Sequence, residues 1–95
     1  SVFPISGVVA GGGTVNIVEK TFAATDQLLL KNTGTTQLVF CLTATATDAC
    51  SGKVIIPPGT EETHPVTDMG SAANTFLNVT NSNPTVQGSW EVDKG

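Results

Sequence analysis

The sequence predicts an all-β fold: an antiparallel Ig-like or jelly-roll sandwich of roughly seven or eight short strands, with an extended N-terminal arm. Threonine and valine are abundant, and β-branched side chains favour strands because they fit a pleated, half-buried surface. Short apolar runs recur about every ten residues, separated by Gly, Pro and Asn turn signals. No stretch carries the repeating apolar stripe of an amphipathic helix.

The first segment, residues 1–10, reads as an extended apolar strand. The side chains that would contact another strand or another subunit are Phe3, Ile5, Val8 and Val9. Phe3, Ile5 and Val9 share one face because side chains alternate along a strand. Pro4 favours an edge position, since proline cannot donate a hydrogen bond to a ladder. Two interpretations remain open: the segment is the first strand of its own sandwich, or it completes the sheet of a neighbouring copy.

A glycine triplet, Gly11, Gly12 and Gly13, separates this segment from the rest of the chain. Consecutive glycines are flexible and costly to order, so they suit an arm that swings between subunits. The sequence therefore predicts an arm with a glycine hinge over residues 1–13 and a β-sandwich domain over residues 14–95.

The strands of the sandwich follow from apolar alternation and turn signals. They are predicted at residues 14–22, 27–31, 37–45, 53–56, 61–66, 76–80 and 86–92. The runs on either side of residues 32–36 read as a hairpin, because Asn32 and Gly34 tolerate positive φ. Trp90 could belong to a sugar-stacking platform. It shares a face with Val86 and Val92 in the last strand, however, so we expect it in the core.

The two cysteines, Cys41 and Cys50, lie close together in the sequence, so a local disulfide is sterically plausible. Such a bond would contribute about 2–3 kcal/mol in the loop-entropy description. A reactive thiol would need a basic or helix-terminal environment, whereas the neighbouring residues are Thr, Ala and Asp48.

Composition excludes several classes of function. The net charge is -4 and the chain has no arginine, which argues against nucleic-acid binding. No apolar run reaches the roughly 20 residues of a spanning helix, so no membrane insertion is expected. Low charge, high threonine content and a close cysteine pair are typical of exported β-proteins. We therefore expect a mature chain, extracellular or at the cell surface after removal of a signal peptide, although a cytosolic chain is the alternative.

The residues that could carry chemistry are few. His64 is the only histidine, and no nucleophile elbow accompanies it. Glu61 and Glu62 point to opposite faces of a strand, so they do not converge with Asp68 on a calcium ion. Asn78 opens a glycosylation acceptor pattern, but its place on a strand argues against use. The sequence predicts no enzyme, no metal site and no cofactor.

The stretch from residue 28 to residue 92 resembles the jelly-roll subunits of bacterial endospore appendages. The motifs that carry the resemblance are LLLKNTGTTQLVF, IIPPGT, FLNVTN and GSWEV. That family also has an N-terminal connector and a glycine-containing spacer before a small β-sandwich. The resemblance implies self-assembly outside the cell without a catalytic role. The connectors of that family contain cysteines that cross-link neighbours, but residues 1–13 have none, which puts covalent linkage in doubt.

Two functions follow as expectations. The first is a structural subunit of a pilus-like or appendage-like extracellular filament, in which copies of the chain join head-to-tail by N-terminal donor-strand complementation. The alternative is an Ig-like accessory module of a larger secreted protein, acting as a spacer, an adhesin or a carbohydrate binder that recognises surface glycans.

Overall fold

The predicted all-β sandwich is confirmed. The structure, a computed structural model, describes residues 2–70 and 74–95, and within them eight strands form two four-stranded antiparallel sheets. The strands are β1 (Ile5–Val9), β2 (Thr14–Glu19), β3 (Gln27–Asn32), β4 (Leu38–Thr43), β5 (Val54–Ile56), β6 (Glu61–Pro65), β7 (Phe76–Thr80) and β8 (Gly88–Lys94). A short 3-10 turn, Val66–Asp68, follows β6. No helix among the described residues is long and apolar enough to cross a bilayer.

The strand order identifies the sandwich as a jelly roll. The first sheet has the order β1-β8-β3-β6 and the second sheet has the order β2-β7-β4-β5. The pairs β1 with β8, β2 with β7, β3 with β6 and β4 with β5 are those produced when one long hairpin is rolled up. Of the two architectures left open by the sequence, the jelly roll is therefore the one formed.

The hairpin predicted around residues 32–36 is wrong. β3 lies in the first sheet and β4 in the second, so this connection is an arch that crosses the sandwich. Asn32 ends β3 and is buried, and its Nδ2 donates to the carbonyls of Thr36 at 2.7 Å and Ile56 at 2.9 Å. Its Oδ1 accepts from the Gly34 amide at 3.1 Å. One side chain thus closes its own turn and attaches the turn to the opposite sheet.

A second arch repeats this construction between β7 and β8. Asn81 is fully buried, and its Nδ2 donates to the carbonyls of Val86 at 2.7 Å and Val9 at 3.4 Å. Its Oδ1 accepts from the Asn83 amide at 3.1 Å. Because Val86 belongs to this arch, it is exposed, and β8 begins only at Gly88. The prediction that Val86 shares the core face with Trp90 was wrong for this reason.

The core lies between the sheets and follows the alternation of each strand. Leu28 and Leu30 point inward from β3, while Leu29 between them is half-buried on the outer surface. The other large side chains with less than 2 % exposure include Phe40, Leu38, Ile56, Met69, Leu77, Val79 and Val92. Trp90 is 6 % exposed and belongs to this core, as the sequence predicts. Burial of alternating apolar side chains on two facing sheets supplies the main stabilisation of the sandwich.

Candidate assembly surface

β1 is an edge strand of its own sandwich. It pairs antiparallel with β8 from Ile5 opposite Val92 to Val9 opposite Gly88. The structure therefore does not confirm an extended N-terminal arm. Ser1, the first residue of the predicted arm, lies outside the described residues.

The four predicted arm residues divide between the two faces of β1. Val9 is 1 % exposed in the core, and Phe3 and Ile5 are half-buried and pack against the core. Val8 points outward and is 55 % exposed. Three of the four residues thus contact the interior of their own molecule, and the fourth lies on the outer face of the first sheet.

The glycine triplet forms a tight turn that carries the chain from the first sheet to the second. Gly12 has φ of 72°, a left-handed conformation that other residues adopt only with strain. The Gly13 amide donates to the Ala10 carbonyl at 2.9 Å, and the Gly12 amide donates to the Asn83 carbonyl at 2.7 Å. The predicted hinge is therefore a hydrogen-bonded turn in this conformation, although glycine gives it wide conformational freedom when those bonds open.

A cation attaches the start of the chain to the connection after β2. Lys20 Nζ lies 6.0 Å from the centroid of the Phe3 ring and 5.7 Å from that of the Phe22 ring. The Lys20 amide donates to the Thr75 carbonyl at 2.6 Å, which fixes the backbone of this residue. Cation–π contacts at partly exposed sites contribute about 0.5–1 kcal/mol. The sequence reasoning missed Lys20, because no spacing rule relates it to Phe3.

The four sheet edges differ in how well they resist pairing with another chain. β6 carries Glu61, Glu62 and His64, β5 has only three residues, and β2 has a register shift between Asn16 and Val18. Charge, shortness and bulges are the usual protections of an exposed edge. Within the described residues, β1 is the edge strand without any of the three, since its sequence is ISGVV.

The predicted disulfide between Cys41 and Cys50 is present, with the two Cα atoms 5.6 Å apart. It fixes a loop against the outer face of the second sheet, where Asn78 is fully buried. Asn78 Nδ2 donates to Thr43 Oγ1 and to the carbonyls of Thr45 and Asp48. The folded protein therefore does not present this amide for glycosylation, in agreement with its place on a strand.

The charged residues singled out from the sequence lie on or near β6. His64 Nε2 is 2.7 Å from Glu62 Oε1, and His64 Nδ1 is 3.7 Å from Asp68 Oδ2. Glu61 does not join them, because it lies opposite Lys31 in the ladder. Within residues 2–70 and 74–95, no group of three or more His, Cys, Asp or Glu side chains could hold a metal ion.

On the outer face of the first sheet, one lysine is surrounded by acidic side chains. Lys31 Nζ lies 3.2 Å from Glu91 Oε2. The hydrogen bond with Glu91 and the charge of Glu91 raise the pKa of Lys31, and the charges of Glu61 and Asp93 act in the same direction. The lysine thus remains protonated beside Glu91 at neutral pH.

No protein-family model, curated protein or solved structure matches this chain.

Proposed function

We propose that the protein is a structural subunit of an extracellular filament, in which copies join head-to-tail by exchanging β1. The observation that carries the proposal is the pairing of β1. Among the described strands it pairs only with β8, at the edge of the first sheet, and a glycine turn separates it from β2. A strand held in this way can leave its own β8 and pair with the β8 of another copy.

Exchange preserves the contacts that β1 makes. The same main-chain hydrogen bonds form and the same site receives Val9, whether β1 comes from its own chain or from a neighbour. The energetic difference therefore lies in the glycine turn. Two of its hydrogen bonds open, from Gly12 to Asn83 and from Gly13 to Ala10. Glycine permits the extended backbone that a connector between two copies needs.

The geometry of exchange leads to a chain of copies. Each copy donates one β1 and accepts one β1, so the two surfaces in contact are different. Such a heterologous contact builds an open filament when its rotation does not close into a ring. The uncharged edge of β1 and the proposed resemblance to endospore-appendage subunits both favour assembly over an isolated monomer.

Removal of residues 1–10 would leave the sandwich incomplete. A body without residues 1–10 lacks Val9, which is a buried member of the core, and leaves the β8 edge beside Trp90 and Val92 uncovered. The shortened body is therefore an acceptor that has lost its donor strand, and it is not a complete domain.

Assembly of the full chain tests the proposal. The intact protein, with its disulfide formed, is warmed to open β1 and then incubated at concentrations approaching about 1 mM, the range in which a neighbour competes with a short tether. We expect light scattering to show oligomers that grow with concentration, and negative-stain microscopy to show fibres. A monodisperse monomer throughout this range would contradict the proposal.

A further inference from the structure

We infer that the β8 edge beneath β1 is a peptide-binding site that selects an extended segment with glycine opposite Trp90 and bulky apolar residues on either side. The inference rests on the proposed function in one respect, because it names β1 of a second copy as the natural ligand. The selection itself follows from the shape of the site and can be measured separately.

The position opposite Trp90 has no room for a side chain. Gly7 pairs directly with Trp90 across the ladder. A Cβ atom on Gly7 would lie 2.8 Å from Trp90 Cζ2, 3.3 Å from Cε2 and 3.4 Å from Cη2. These atoms belong to the rigid indole ring of a side chain that is only 6 % exposed, so the ring cannot move aside without disturbing the core.

The neighbouring inward position has the opposite shape. Val9 pairs with Gly88, and a Cβ atom on Gly88 would lie 3.1 Å from Val9 Cγ1. Val9 is therefore the large partner of a small residue, whereas Gly7 is the small partner of a large one. At the other end, Ile5 lies opposite Val92 and packs against the core. The outward residues Ser6 and Val8 are exposed and do not take part in the selection.

The indole of Trp90 also supplies a spectroscopic signal for this contact. Trp90 Nε1 is buried, and no hydrogen-bond acceptor for it is found in the described part of the chain. A buried indole N–H normally has a partner. Gly7 lies against the ring of Trp90, so removal of β1 would uncover part of the indole. The chain has one tryptophan and no tyrosine, so its emission reports whether the site is occupied.

Binding of two synthetic peptides tests the selection. One carries residues 2–10 and the other carries the same residues with Gly7→Ala, each with a fluorescent label. The acceptor is the full chain with Gly7→Ala, whose own β1 docks poorly. We expect the glycine peptide to bind at least about tenfold more tightly by anisotropy, and to shift the Trp90 emission to shorter wavelength. Equal affinity of the two peptides would overturn the inference.

A double variant tests the same contact by stability alone, so the test does not depend on the folding of the Gly7→Ala acceptor. Trp90→Leu removes the ring atoms that face Gly7. Gly7→Ala should therefore lower the folding equilibrium constant at least about tenfold in the native background, and much less when combined with Trp90→Leu. An equal loss in both backgrounds would overturn the inference, while a double variant that folds better than Gly7→Ala alone would support it. The two proposals can be separated. If the glycine peptide binds more tightly but the native chain does not assemble, the proposed filament function is contradicted while the peptide-binding site is supported.

Discussion

Replacing Asn32 or Asn81 with alanine is expected to lower the free energy of unfolding by about 2–4 kcal/mol. Each change removes a buried donor that satisfies two backbone carbonyls, one in the arch and one in another strand. Each also removes the acceptor of an arch amide. A buried polar group left without a partner costs about 1–3 kcal/mol, and the total free energy of unfolding of a small domain is only about 5–15 kcal/mol.

Urea unfolding of the oxidised protein measures this loss. Asn16→Ala is the matched control, because Asn16 is exposed on β2 and its replacement should change stability by less than about 0.5 kcal/mol. Asn81→Asp should lose at least as much as Asn81→Ala, since a carboxylate cannot donate to the carbonyls of Val9 and Val86. If the arch variants unfold at the same urea concentration as the control, the two side chains do not hold the arches.

Locking β1 onto its own β8 is expected to abolish assembly. Ser6 and Glu91 are directly opposite in the ladder and both point away from the core. Side chains in such pairs have Cβ atoms about 4.5–5.5 Å apart, close enough for a disulfide after a small adjustment. In the chain with both Ser6→Cys and Glu91→Cys, we expect light scattering to show a monomer at every concentration at which the native protein forms fibres.

The matched control carries Ser6→Cys with Thr63→Cys. Thr63 lies on β6, three strands and about 14 Å away across the first sheet, so these thiols cannot join within one molecule. The control should assemble like the native chain. If the locked chain still forms fibres, assembly does not use exchange of β1.

Alternation of apolar residues, together with the turn signals, was sufficient to predict the positions of the strands and part of the core. It placed Ile5 and Val9 on one face of a strand and Trp90 in the interior, because burial on one face of a sheet imposes a period of two. The hairpin failed because Asn and Gly signals are shared by hairpin turns and arches. The choice between them depends on the bond from Asn32 to the Ile56 carbonyl, which is 24 positions away.

The assembly surface was predictable only in part. The apolar character of residues 3–9 is visible in the sequence, but a glycine triplet fits both a flexible hinge and a tight turn. In this conformation the triplet is a tight turn, because its amides donate hydrogen bonds to the carbonyls of Asn83 and Ala10. The role of Gly7 could not be predicted from the sequence. It depends on Trp90, which lies opposite Gly7 only because the first and last strands of the jelly roll pair with each other.

Trans pairing of β1 with β8 is the most direct measurement of strand exchange. One chain carries only Ser6→Cys and a second carries only Glu91→Cys, and the two are assembled together under mild oxidation. We expect a disulfide-linked pair of chains on a non-reducing gel, with the linked peptides identified by mass spectrometry. Ser6→Cys mixed with Thr63→Cys gives the background of random collisions. Cross-linking no greater than this background in assembled material would contradict exchange of β1 between copies.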